Sequence, residues 1–255
     1  MSGINYIDTH CHIYMENFDC DIEYILQEAK SKNVNKIICI GVDLITSEKC
    51  VELSNKYDEI YATVGIHPHE ASKVDQNYLK TIENMCSEQK VVGVGEIGLD
   101  YHYTISEKKT QKEIFFEQIL LAKEVGLPIV VHNRKSDDDL YRLVVKSNYK
   151  KGVVHCFTSN LSFAKKIINI GFYISFTGII TFVKDLESVV EKVPLDKILL
   201  ETDSPYLSPI PFRGKINKPK NIPIIADKIS EIKNLPINII SKQIYENSHL
   251  LFEKL

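Results

Sequence analysis

The chain has 255 residues, of which 44% are hydrophobic and 25% charged, and a formal net charge of −3. This is the make-up of a folded globular protein; the charge excludes a protein that coats nucleic acid by bulk attraction, and no run approaches the ~20 apolar residues of a membrane span. The length suits one α/β barrel over residues 1–255, although two ordinary domains would also fit.

Short apolar, β-branched runs recur along the chain. The first, at 4–7, leads into Asp8-Thr9-His10-Cys11-His12. In an extended segment residues i and i+2 share a side, so His10 and His12 are placed to reach one point, as two ligands of one metal ion must. A helix follows at 21–31, then runs at 36–41 and 61–66, the latter continuing into His67-Pro68-His69. The run at 91–96 ends in Glu96, a carboxylate that is costly there unless paired or metal-bound. At 107–125 Ile114, Phe115, Gln118, Ile119 and Ala122 form one helical stripe, ended by Gly126-Leu127-Pro128. Runs at 128–132, 152–155, 172–176 and 197–201 follow, and His132, His155 and Asp203 stand at the ends of three of them. The stretch 205–223, rich in proline and basic residues, reads as an ordered loop over a mouth, with a plain connector as the alternative.

Eight continuous rather than alternating runs, separated by helix-like stretches, predict parallel strands buried on both faces in a (β/α)8 TIM barrel. An open doubly wound sheet is the alternative. Ligand-type residues after non-neighbouring strands favour closure, because a barrel gathers those strand ends around one rim. The candidate metal ligands are His10, His12, Glu96, His132, His155 and Asp203. Four imidazoles and two carboxylates suffice for one or two divalent ions, Mg2+, Mn2+ or Zn2+, with Glu96 placed to bridge. The expected chemistry is hydrolysis by a metal-activated water, since GxSxG and glycine-rich phosphate loops are absent from the sequence.

Thiolate ligation is disfavoured, because alternation turns Cys11 and Cys156 away from their histidine neighbours. Six cysteines without CxxC, and no basic stretch leading into an apolar segment at the N-terminus, predict reduced thiols in a cytoplasmic protein without a signal peptide.

The motifs Asp8-Thr9-His10-Cys11-His12, Gly65-Ile66-His67-Pro68-His69, Gly95-Glu96-Ile97-Gly98-Leu99-Asp100, His155-Cys156-Phe157, Glu201-Thr202-Asp203-Ser204-Pro205 and Arg213-Gly214-Lys215 resemble, in order, the signatures of the TatD family of metal-dependent deoxyribonucleases. The resemblance implies divalent-metal hydrolysis of DNA, often from the 3′ end. Two places depart from the family pattern. Lys135 follows Arg134 where an acidic residue is common, and Thr158-Ser159-Asn160 stands where Ser-Gly-Ser is usual. Under this resemblance His10 and His12 hold one metal with Glu96 bridging and Asp203 as further ligand and proton acceptor. His132 and His155 hold the second metal or steady the phosphate. His67, Arg134, Tyr101, Tyr206 and Arg213 are the candidate substrate contacts, whereas His69, His102 and His249 read as structural or surface residues. The expected partner is DNA, with RNA as a variant, acted on by a monomer that makes no membrane contact. Two other functions stay open: hydrolysis of an aminoacyl-tRNA ester or an amide at the same site, and a non-catalytic binding module.

Overall fold

Parallel strands of Val, Ile and Leu need cover on both faces, and here a ring of eight strands finds it between an inner filling and an outer layer of helices. The computed structural model describes residues 4–255 apart from 17, 19 and 104. The strands are β1 (Tyr6–Cys11), β2 (Val34–Ile40), β3 (Ile60–Val64), β4 (Val91–Asp100), β5 (Ile129–Arg134), β6 (Gly152–Val154), β7 (Tyr173–Phe176) and β8 (Ile198–Leu200), paired in that order. Between them run α1 (Ile22–Lys30), α2 (Leu44–Lys56), α3 (Tyr78–Cys86), α4 (Lys108–Val125), α5 (Asp137–Ser147), α6 (Leu161–Asn169) and α7 (Glu187–Lys192). α8 (Ile222–Lys233) and α9 (Ile237–Leu251) come after the last strand. The result is a nearly closed (β/α)8 barrel, as the sequence pattern predicts. Among the described residues no helix is long and apolar enough to cross a membrane.

Two strands differ from their expected bounds in ways that matter. β1 extends through Cys11, so His10 lies within the strand and His12 just past it. β4 runs on to Asp100, and all ten of its residues are buried. Glu96 is therefore interior to β4, and Asp100 follows it on the same barrel wall. Gly98 permits this extension: its φ is +141°, and a Cβ there would lie 2.1 Å from the His132 carbonyl oxygen.

Between β8 and β1 an isolated bridge, Cys11 with Ser204, stands in place of a ladder. The seam is drawn together by specific bonds. Thr9 Oγ1 donates to the Leu200 carbonyl (2.8 Å), and Asp203 N donates to the His10 carbonyl (2.9 Å). His12 N donates to the Ser204 carbonyl (2.7 Å), and the Asp8 carboxylate accepts from Thr202 N (2.9 Å). The loop after β8 is ordered by Asn217, fully buried, whose amide donates to the carbonyls of Thr202 and Tyr206.

Inside the ring, Ile38, Ile40, Val92, Val130, Val153 and Leu199 pack with Leu251 and Phe252 from the end of the chain. Lys254 Nζ bonds to the carbonyls of Glu88 and Val91, which fixes this plug at the end of the barrel where the strands begin. Phe252 is fully buried. Phe252→Ala should therefore cost about 3–5 kcal/mol, the range for an aromatic removed from a core that cannot collapse. Urea unfolding checks this; a loss below about 1 kcal/mol would mean that the plug carries little of the packing.

Candidate metal centre

Two residues beyond the inner-face positions Val130, Val153 and Leu199 stand His132, His155 and Glu201, so the same wall that is apolar below becomes polar at the rim. Alternation in β1 brings His10 and His12 together as well: their Nε2 atoms are 3.3 Å apart. Glu96 lies between the two groups of imidazoles. Its Oε2 is 3.4 Å from His10 Nε2 and 3.8 Å from His12 Nε2. Its Oε1 accepts from His132 Nδ1 (2.9 Å) and His155 Nε2 (2.8 Å). Asp203 completes the first group, with Oδ1 3.5 Å from His12 Nε2 and 3.6 Å from His10 Nε2. The structure thus gathers all six residues singled out as ligands.

The donor set fits divalent ions. His10, His12 and Glu96 present ligand atoms within 4.8 Å of one another, as do His10, His155 and Asp203. Two of the imidazoles also have a hydrogen-bonded acceptor behind them, the arrangement that orients metal-bound histidines, and a third has a carboxylate beside it. His12 Nδ1 faces the Ile40 carbonyl (3.1 Å), and His132 Nε2 donates to Asp100 Oδ2 (3.1 Å). His155 Nδ1 lies 3.4 Å from Glu201 Oε1. Glu201 is itself held by Cys156 N and the Ser175 hydroxyl, 2.6 Å each. His10 Nδ1 is buried without a partner, and its ring stacks on His155 at 3.9 Å.

Charge in the cluster is strongly correlated. Burial opposes ionisation of Glu96, but the imidazoles of His155 and His67 and bonds from His10 and His132 hold its carboxyl well below the usual range. Asp203 is likewise buried, and is held down by His12, His10 and His155. In return the carboxylates raise His12, His132 and His155 against the effect of burial, whereas desolvation lowers His10.

His67 is different. Its Nδ1 accepts from His69 N (3.2 Å), which leaves the proton on Nε2, 3.5 Å from Glu96 Oε1. Burial lowers its pKa to about 3. It is a neutral imidazole that turns an N–H donor into the site.

Above this floor opens a cavity of about 750 Å3. Of the candidate substrate contacts, His67, Arg134 and Tyr206 line it, and Arg134 lies over the Tyr103 ring at 4.6 Å. Tyr101 and Arg213 do not line it. Tyr101 comes after β4 has ended; its hydroxyl donates to Asp139 (2.7 Å), and it borders a neighbouring cavity. The Arg213 guanidinium is committed to the Phe182 ring (3.8 Å) and the Ser208 carbonyl.

Other residues enter the site against or beyond expectation. His69, expected to be structural or surface, lines the cavity and bonds to Asp100 Oδ2 (3.1 Å). Asp100 is fully buried; bonds from His132, Tyr103 and His102 outweigh burial and hold its carboxyl far below its usual range. Its even spacing from Glu96 is the sequence signal, which a strand ending at Glu96 conceals. Cys156 lines the cavity too, because β6 stops at Val154 and Cys156 takes a left-handed φ of 44°, so strand alternation no longer governs it.

A buried cluster of imidazoles and carboxylates on the rim of a (β/α)8 barrel, open to a cavity, defines a metal-dependent hydrolase, and the comparisons with known proteins agree. The profile of the TatD-related DNase family matches residues 7–253, and the chain belongs to that family. An uncharacterized metal-dependent hydrolase of Bacillus subtilis (strain 168), YabD, is 39% identical, over 96% of this chain and 98% of its own. The crystal structure of YJJV, a TatD homolog from Escherichia coli K12, superposes with a TM-score of 0.94 at 30% identity, covering 98% of both chains. A TatD family hydrolase from Entamoeba histolytica gives 0.90 at 27% identity, over 98% of this chain and 99% of its own.

Metal ions and protons compete for these imidazoles. Zinc or manganese added to the stripped protein near neutral pH should release protons, because His12, His132 and His155 are held above their usual 6.5 when no ion is bound. Apparent affinity should weaken as pH falls through the region where these groups protonate. Calorimetry in two buffers of different ionisation enthalpy measures the protons, and an uptake in place of release would contradict the assignment.

Proposed function

We propose that the chain is a deoxyribonuclease that hydrolyses phosphodiester bonds, acting as an exonuclease from the 3′ end. One observation carries the reading: a floor of metal ligands shares its cavity with donors suited to phosphate. The Arg134 guanidinium stands exposed on the wall with no ion pair among the described residues, and His67 directs Nε2–H inward. A planar guanidinium matches two phosphate oxygens. The description of the family as DNases supports DNA as the substrate, and RNA offers the same bond.

Divalent ions on this floor supply Lewis acidity and lower the pKa of bound water. The residues do the rest. Glu96 sets one oxygen toward each imidazole group and so fixes their spacing. Asp203, ionised and beside His10 and His12, takes the proton from the attacking water. Arg134 and His67 hold the non-bridging oxygens, and Tyr206, half exposed at the rim, offers its ring to a base.

End-labelled DNA incubated with stripped protein resupplied with magnesium, manganese or zinc tests this. Nucleotides should be released from the 3′ end only when metal is present. Asp203→Asn should keep the fold and lose about 10²–10⁴-fold in kcat, the usual range for a positioned base. Absence of cleavage with every metal, from folded and loaded protein, would sink the nuclease reading and turn the search to aminoacyl-tRNA esters and amides.

A further inference from the structure

A second cavity, of about 690 Å3, adjoins the first, and Arg134 and Thr158 form walls of both. Each cavity falls within the roughly 300–1,000 Å3 of small-ligand pockets. Lys135 and Ser159 also line the second one, so the segments that follow β5 and β6 meet in one place.

The charges there are unevenly matched. Three aspartates open α5 beside the cavity, and two are engaged. Asp137 accepts from Asn133 Nδ2 (2.7 Å) and Ser159 Oγ (2.8 Å). Asp139 accepts from the Tyr101 hydroxyl and pairs with Lys112 and Arg142. Asp138 is exposed in the first turn, where the helix dipole favours a carboxylate. Arg134 and Lys135 are also exposed, and neither makes an ion pair among the described residues. Asp139 is neutralised by its two cations, and Arg134 and Lys135, adjacent and paired with no carboxylate, one of them on the ridge between two cavities, can seat an anion.

We propose that the second cavity is a subsite for the neighbouring nucleotide of a nucleic-acid strand. The phosphate next to the scissile one sits between Arg134 and Lys135. This rests on the phosphodiesterase reading and specifies what that site takes: a strand with at least two phosphates, in preference to a single diester.

A dinucleotide and a trinucleotide, carrying one and two phosphodiesters, separate the two cavities. Binding is read by anisotropy of end-labelled oligonucleotides on the manganese-loaded Asp203→Asn chain, with and without Lys135→Glu. Hydrolysis is read on the loaded wild-type and Lys135→Glu chains. The trinucleotide should bind about tenfold tighter than the dinucleotide, a gain of about 1.4 kcal/mol. Lys135→Glu should erase that advantage in affinity and in kcat/KM, and lower the salt slope of trinucleotide binding by about one. Lys242→Glu, an exposed site on α9, should leave the advantage intact. Equal affinity for the two lengths, or an advantage that survives Lys135→Glu, overturns the subsite. An advantage lost in Lys135→Glu, with neither length hydrolysed by the loaded wild-type chain, supports the subsite and overturns the phosphodiesterase reading alone.

Discussion

The site depends on one buried carboxylate serving two sets of imidazoles. Glu96 has almost no access to water, and each of its oxygens faces a different histidine group. A lone carboxylate in such a place would be neutral or unstable. Here the surrounding imidazoles hold its carboxyl well below the usual range, and Glu96, with Asp203, Asp100 and Glu201, raises three of them in turn. The barrel makes this possible, because only a closed ring of strands brings residues 10, 132 and 155 around residue 96. The supporting groups continue outward. Asp100 braces His132 and His69, Glu201 braces His155, and the Ile40 carbonyl braces His12. A divalent ion would enter a frame whose ligands are already oriented, with protons as what it must displace.

The sequence was most legible where one periodicity held. Continuous apolar runs mark all eight strands, and polar residues at their ends mark the six candidate ligands that the structure gathers, because a barrel converts strand-end position into spatial convergence. Legibility failed where the backbone leaves its regular path. Cys156 and Asp203 both have left-handed φ values, 44° and 55°, and alternation cannot say where their side chains point. Asp100 carries no signal while Glu96 reads as a strand end, and the close approach at Gly98 shows why β4 continues. Tyr101 and Arg213 carry suitable chemistry and sit near the rim, but each is already engaged by a neighbour. Such competition between partners is a tertiary property that a residue's type and position do not record.

Division of labour follows the layers of the fold. The lower barrel is apolar and sealed by Phe252, so stability resides at the end away from the chemistry. The upper rim is built from loops that differ in charge and shape. Lys135, Thr158 and Ser159 line the walls beside the mouth and are not among the candidate ligands. One metal frame can thus be retained while the surface that selects its substrate changes.

The seam between the first and last strands has a consequence for synthesis of the chain. His10 and His12 leave the ribosome early, but Asp203 and the bonds that align it to them lie about 190 residues later. Until that segment emerges, the growing polypeptide lacks Asp203, one of the two carboxylates beside these imidazoles, and its sheet has two unpaired edges. The full set of six candidate ligands therefore comes together only when the ring shuts. The order of the chain places the last carboxylate of the site late in synthesis.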